Sequence, residues 1–273
     1  MAITYYMLQI SPFLFFVILI SVGAIFGAVS TLLFRKFQKF KVLRSHNEVI
    51  GFFFLAIASF YALLLSFIVL VVWDQLNETT GNVSKEGSSA MGLYRDIKYY
   101  PDVIESKKMM QVYLNFVLNV VDDEFPKMEK MQLSMKTRTS FNSVFYTMER
   151  LNPKNTKQLQ LVGEMFHHLN ELAIYRGLRI TSMETEIYPP MWMPMILGAF
   201  ITIFCSLLLD IENKLIQILL NAFLGAFIGM FFFIIIILDH PYAGSLGLKP
   251  TSYLDIFTME KRDFISKGVT INR

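Results

Sequence analysis

The sequence is poor in charge and in cysteine, and it lacks the motifs of common catalytic sites. Only 17% of its 273 residues are charged, against roughly 25% in soluble globular domains. Its single cysteine, Cys205, has no partner in the chain for a disulfide or a cysteine-based metal site. There is no H-E-x-x-H segment, no glycine-rich phosphate loop and no G-x-S-x-G elbow. The sequence therefore predicts neither an enzyme nor a cofactor.

The remaining polar residues also argue against nucleic acid and metal. The formal net charge of +3 is too small to indicate a nucleic-acid partner. Of the histidines, only His167 and His168 are adjacent. Neighbours on a helix point about 100° apart, so they do not readily share one metal ion. No metal site is predicted.

The sequence contains four long apolar stretches. A helix that crosses a bilayer needs about 20 apolar residues, and four stretches reach that length. Lipid offers backbone groups no hydrogen-bond partner, so each stretch must be a helix or a strand of a closed barrel. Barrel strands are about half as long and alternate in polarity, so helices are favoured. The sequence predicts an all-α membrane protein whose main partner is the lipid bilayer.

The spans fall into two hairpins separated by a large insert. The insert shows helical periodicity without strand alternation, which predicts a helical domain outside the membrane between the second and third spans. The predicted segments are a first hairpin over 1–73 (helices at about 10–34 and 50–73, basic loop 35–49), the helical domain over 74–186, a second hairpin over 187–238, and a C-terminal tail over 239–273 that carries DHPYAG.

Within the insert, the periodicity predicts three helices. The first begins near Pro101 and Asp102 and stops near Phe125–Pro126. A second is expected from about 138 to 151, and a third from about 155 onward. We expect the insert to be built from helices that prolong spans two and three. The stretch Asn77–Ala90 has the most loop-like composition.

The orientation in the membrane follows from the basic loop after the first span. Positive residues in short loops favour the cytoplasmic side, and this loop carries five of them: Arg35, Lys36, Lys39, Lys41 and Arg44. The loop is therefore predicted to be cytoplasmic. The protein is predicted to lie in the cell (inner) membrane. The helical domain and both termini are then on its extracytoplasmic side. The basic C-terminal tail opposes this orientation.

Small and weakly polar residues recur along one face of the second span. They follow steps of three and four residues and comprise Gly51, Leu55, Ala58, Ala62, Ser66 and Val69. Such a face promotes close helix packing in membranes, or it can surround a pore in an oligomer. Spacing alone favours packing.

Two arginines precede the third span. Arg176 and Arg179 are three residues apart, so they can share a helix face. They could pair with acids such as Glu184 or Asp239, or attract small anions. Solvated arginines are the commoner outcome for such a pair.

Several segments resemble the bestrophin-like family of bacterial and plant membrane proteins. They are HNEVIGFFFLAIASFYALLLSFIVLVVWD, DDEFP, YRGLR, PPMWMPMILGAF and DHPYAGSLGLKP. The family motif residues among them are His46, Asn47, Glu124, Pro126, Asp239, Pro241 and Gly244. The family pattern more often has Trp where this chain has Phe125, and Arg-Pro-Phe where it has His240-Pro241-Tyr242. No acidic cluster resembles the bestrophin calcium clasp, so calcium gating is not implied.

The resemblance implies a distant relation to bestrophins, which are pentameric anion channels lined by their second membrane helix. It favours the pore interpretation of the small face and predicts a homo-oligomer that conducts small ions, anions in particular. Bestrophins keep their helical domain in the cytoplasm, which opposes the orientation predicted from charge. The alternative is a non-conducting membrane protein whose insert binds a partner or senses a ligand.

Overall fold

Every regular element in the described part of the chain is helical. The computed structural model describes residues 10–37, 44–183 and 187–266, without the side chains of 44 and 261–266. The nine α-helices within these ranges are α1 (Pro12–Phe37), α2 (Asn47–Lys98), α3 (Val103–Asn119), α4 (Phe125–Met128), α5 (Met135–Glu149), α6 (Thr156–Ser182), α7 (Trp192–Leu207), α8 (Lys214–Leu238) and α9 (Thr251–Ser266).

Four of the described helical segments are long and apolar enough to cross a membrane. They are α1, α2, α7 with the preceding 3₁₀ turn Pro189–Met191, and α8. The all-α fold class and the four predicted spans are confirmed. The chain divides into a membrane unit, Met1–Leu76 with Glu186–Ser245, and a second unit, Asn77–Thr185 with Leu246–Arg273.

In the membrane unit, the main packing partner of the first span is the fourth span. Helices α1 and α8 carry glycines four residues apart, Gly23 and Gly27 on α1 and Gly225 and Gly229 on α8. A Cβ atom on Gly23 would overlap the carbonyl of Gly225, and one on Gly27 would overlap that of Asn221. Small residues let membrane helices approach this closely. The spans are therefore paired differently in the sequence and in space. The hairpins give their order along the chain, whereas α1 packs mainly against α8.

One side-chain amide links three of the spans, α1, α7 and α8. Asn221 on α8 donates to the Thr31 hydroxyl at 2.8 Å and accepts from Ser206 at 2.7 Å. All three side chains are buried. Because lipid offers no alternative partner, such hydrogen bonds hold membrane helices in register.

Helix α2 continues beyond the predicted end of the second span near residue 73 and reaches Lys98. The expected loop Asn77–Ala90 is part of this helix, so that prediction is wrong. Gly87 in this stretch sits at a close contact: a Cβ atom there would overlap the side chain of Ser252. Tertiary packing overrides the weak local helix propensity here. The expectation that the second span extends into the insert is confirmed.

The helices of the insert begin at capping side chains. The side chains of Asp102, Ser134 and Asn155 accept hydrogen bonds from the first backbone N–H groups of α3, α5 and α6. The predicted third helix is confirmed near Asn155, and the second begins three residues before the expected position. Their apolar faces meet α2 and α9 in a core that includes Leu93, Tyr113, Phe116, Leu169 and Ile256.

The predicted stop at Phe125–Pro126 is wrong. Helix α3 passes into a π-helical turn, Val120–Glu124, and the chain stays helical through Pro126 to Met128. Pro126 lies in the first turn of α4, directly after the π-helical turn. The wider π turn changes the direction of the Glu124 side chain relative to a regular helix.

Candidate pore-lining face and buried ion-pair network

Helix α2 presents two different faces within the membrane unit. Tyr61, Leu65, Ile68 and Val72 are buried against α7 and α8. About a quarter turn away lies the predicted small face. Leu55, Ala62 and Ser66 are exposed there, while Gly51, Ala58 and Val69 are half-buried. The membrane unit of one chain therefore buries none of the six residues fully and leaves three of them exposed.

Ser59 belongs to the same face and was not recognised from the sequence. It is exposed, and its hydroxyl donates to the carbonyl of Leu55 at 2.7 Å. Ser66 donates in the same way to Ala62 at 2.8 Å. These bonds satisfy the hydroxyl donors within the helix. The sequence spacing could have identified Ser59, because it lies four residues after Leu55 and three before Ala62.

The face carries no charge at membrane depth. Between Gly51 and Trp73 the sequence contains no Asp, Glu, Lys, Arg or His. The flanking faces carry bulky apolar groups, among them Phe60 and Phe67, which are exposed. The small face therefore differs from its neighbours in side-chain size and weak polarity rather than in charge.

Arg176 and Arg179 lie on one face of α6 and are held by carboxylates. Arg179 binds Glu86 through two hydrogen bonds, Nε to Oε2 at 2.6 Å and Nη2 to Oε1 at 3.0 Å. Its Nη2 group also donates to Glu124. Arg176 donates to Glu124 through Nη2 and through Nε, the latter at 3.1 Å. The DDEFP and YRGLR motifs thus meet at this network.

The pair of Glu86 and Arg179 is closed off from water. The side chains of Glu86 and Arg179 have 0% exposure, and Tyr253 on α9 donates its hydroxyl to Glu86 at 2.6 Å. The guanidinium group of Arg179 also lies 4.7 Å from the ring centroid of Phe125. Two carboxylates balance two guanidinium groups, so the buried cluster is neutral overall. Asp239 is not among these partners, and Glu184 lies outside the described residues.

Charges within the network shift the ionisation of its members. Burial alone raises the pKa of Glu124, but Arg179 and Arg176 outweigh it and lower that pKa. For Arg179, burial lowers the pKa, whereas Glu86 and Glu124 raise it well above the usual range. The charged forms of Glu124 and Arg179 are therefore favoured.

The remaining motif residues have structural contacts in the membrane unit. The Asn47 amide donates to the carbonyl of Asp210 at 2.8 Å and accepts from its N–H at 2.9 Å. His46 is exposed just before it. Asp239 is buried at the end of α8 and accepts from the N–H of Ile187 at 2.7 Å. These contacts fix one end of α2 and one end of α8.

Pro241 and Gly244 shape the turn after α8. Pro241 cannot continue the helix. Gly244 has φ of 67°, a conformation that residues with a Cβ rarely adopt. The turn places the small buried side chain of Ala243 against Phe15 of α1. Pro126, in the other unit, is exposed at the start of α4.

The second unit also contains a cavity of about 640 Å³ between α2, α6 and α9. Its lining includes Tyr94, Lys98, His168 and Asp255. His168 Nδ1 lies 2.7 Å from a carboxylate oxygen of Asp96. Within the described ranges, no three His, Cys, Asp or Glu side chains are grouped to hold a metal ion.

Comparison with known proteins agrees with this architecture. The model of the bestrophin-like domain matches residues 21–253. A crystal structure of a bacterial bestrophin homologue from Klebsiella pneumoniae superposes with a TM-score of 0.62 at 13% identity, covering 95% of this chain and 100% of that one. A variant of that homologue gives 0.63 at 13% identity, covering 93% and 98%. No curated protein matches the chain.

The fold and the match over most of the sequence define a helical membrane protein of the bestrophin type. The chain belongs to the bestrophin-like family.

Proposed function

We propose that the protein is a bestrophin-like ion channel, assembled as a homo-oligomer around the small face of α2. The observation that carries the proposal is that face: Leu55, Ser59, Ala62 and Ser66 are exposed in the membrane unit of one chain. Small side chains leave room for a pathway between neighbouring subunits. Membership of the bestrophin-like family supports the same function, and the family resemblance favours five subunits.

Preference for anions rests on the resemblance alone. Arg176 and Arg179 were the only residues to suggest it, and both are paired with carboxylates. The proposed pore face carries no charge in the span. We therefore propose permeation by small ions, anions included, without a fixed positive charge in the span to select them.

Purified protein in a planar bilayer tests conduction. We expect unitary currents, and the reversal potential in a salt gradient gives the sign of the permeant ion. The sample must first be shown to be a folded oligomer. Silence of such a sample over varied voltage, pH and calcium would favour the second candidate, a non-conducting protein that senses a ligand. The cavity beside His168 is the observation that favours that candidate.

The lining residues can be tested by cysteine substitution after Cys205 has been replaced by Ser. Ala58→Cys, Ala62→Cys and Ser66→Cys should react with a small hydrophilic thiol reagent and lose current, because they face water in an open pore. Phe53→Cys and Phe60→Cys should remain unaffected. Reaction at the phenylalanine positions alone would assign the pore to another face of α2.

A further inference from the structure

The insert contains a cavity of about 220 Å³ where the π-helical turn, α4, the start of α5 and α6 meet. We call it the arginine cavity. Three charged side chains line it, Glu124, Arg138 and Arg176. Much of the remaining wall is apolar and is formed by Met128, Leu133, Met135 and Ile180. The cavity is smaller than the roughly 300 to 1,000 Å³ of pockets for drug-sized ligands, so it suits a small ligand.

Arg176 has one unused edge of its guanidinium group. Its Nε and Nη2 groups both donate to Glu124, and these two groups lie on the same side of the planar guanidinium. In the described part of the chain, no group accepts a hydrogen bond from Nη1 of Arg176. The side chain is only 9% exposed, and a buried donor without an acceptor is unfavourable. An acceptor in the cavity satisfies this donor.

The acids around the cavity are already paired, whereas one of its arginines is not. Glu124 is bound by two arginines, and its neighbour Asp123 is bound by Lys127 at 2.9 Å. Arg138 is exposed, and its guanidinium group forms no ion pair within the described ranges. It lies in the first turn of α5, where the helix carries a partial positive charge. The cavity therefore suits a ligand with one negative charge.

We propose that the arginine cavity binds a short-chain monocarboxylate. The carboxylate accepts hydrogen bonds from Nη1 of Arg176 and from the guanidinium group of Arg138, since arginine matches a carboxylate in both charge and geometry. The hydrocarbon chain lies against the apolar walls at Met128 and Ile180. The site lies within the insert and does not depend on conduction by the membrane unit.

Butyrate is the probe, titrated by calorimetry into the purified full-length protein at neutral pH. We expect saturable binding, and an affinity for the uncharged isostere butyramide that is weaker by about tenfold or more. Acetate should bind more weakly than butyrate, by up to about fourfold for each methylene group lost from the apolar walls. Absence of saturable butyrate binding, or an equal affinity for butyramide, acetate or inorganic phosphate, would overturn the proposal.

Substitution of the two arginines tests their roles. Arg138→Gln should weaken butyrate binding by about three- to fivefold at an unchanged melting temperature. Arg150→Gln is the matched control, because Arg150 is exposed on the same helix and does not line the cavity. Arg176→Lys keeps a positive charge beside Glu124 but removes Nη1, so it should also weaken binding. Equal affinities for Arg138→Gln and Arg150→Gln would contradict the proposal, and this comparison decides the outcome if Arg176→Lys fails to fold.

Thiol protection locates the bound probe. In a Cys205→Ser background, Met135→Cys places a thiol in the exposed part of the cavity lining. Saturating butyrate should slow its reaction with iodoacetamide several-fold. Tyr146→Cys, at an exposed position on the same helix outside the cavity, should react at the same rate with and without butyrate. An unchanged rate at Met135→Cys, or an equal slowing at Tyr146→Cys, would show that butyrate does not occupy this cavity and would overturn the proposal.

Discussion

At the scale of single residues, Glu124 holds two buried positive charges. It accepts hydrogen bonds from both Arg176 and Arg179, and its side chain is 2% exposed. It is the last residue of the π-helical turn. Glu86 alone could balance only one of the two guanidinium groups. The stability of the insert should therefore depend strongly on Glu124.

Glu124→Gln should destabilise the insert by about 3 to 5 kcal/mol, because one buried guanidinium charge loses its counter-ion. Thermal or urea unfolding of the purified protein in detergent measures the effect. Glu149→Gln is the matched control, since Glu149 is exposed and should change stability by about 0.5 kcal/mol or less. Equal stabilities for the two variants would mean that water or another group replaces the carboxylate.

The pH dependence of stability follows from the same residue. The pKa of Glu124 is lowered in the folded protein, so its charged form stabilises the fold above the pKa of the unfolded chain. That contribution is lost as the pH falls through the lowered folded pKa. Unfolding measured from neutral to acidic pH should show a falling midpoint below the ordinary glutamate range. Glu124→Gln should flatten this dependence, and an equally steep curve in that variant would exclude Glu124 as its origin.

At the scale of helices, the crossing of α1 and α8 depends on glycine. The backbones touch at Gly23, Gly27, Gly225 and Gly229, where even one methyl group would overlap a facing carbonyl. The hydrogen bond between Asn221 and Thr31 lies beside the same contact. Close packing and one buried polar bond thus reinforce each other.

Gly225→Ala should destabilise the membrane unit by about 1 to 3 kcal/mol, since the added methyl group must push α1 away. Gly51→Ala is the control, because a Cβ there would meet no atom within 4 Å. Thermal melts of both variants in the same detergent give the comparison. An unchanged melting temperature for Gly225→Ala would show that α1 and α8 can separate without cost.

At the scale of the whole molecule, the basic residues around the end of the first span decide the predicted orientation of the insert. Five Lys or Arg residues lie between Arg35 and Arg44, in the last turn of α1 and after it, and positive charges beside a span resist translocation. The bestrophin precedent and the basic C-terminal tail oppose it. Orientation therefore stays a prediction from charge: first loop cytoplasmic and insert extracytoplasmic.

A reporter fused after Arg273 tests this orientation, because four spans place the C-terminus on the side of the insert. A reporter that functions only outside the cytoplasm should be active there. A cytoplasmic reporter at the same position is the control and should be silent. The opposite pattern would show that the loop charges do not set the topology and that the insert lies in the cytoplasm.

The sequence by itself determined the local features of the fold. Four apolar stretches of sufficient length specify spanning helices in lipid, and side chains such as Asp102 and Asn155 specify where helices of the insert begin. The small face of α2 and the shared face of Arg176 and Arg179 follow from the period of the α-helix. Each of these features depends on residues within a few turns of one another.

Only the tertiary structure decided which of these elements meet. Asn77–Ala90 has a loop-like composition, yet it is helical because Glu86 and its neighbours are buried against other segments. The partners of Arg179 lie 93 and 55 residues away in the chain, and no local pattern pairs them. The glycines of α1 and α8 offered a signal for their crossing, but the two helices are separated by most of the sequence. Contacts between distant segments depend on the packing of the whole fold, which local periodicity does not encode.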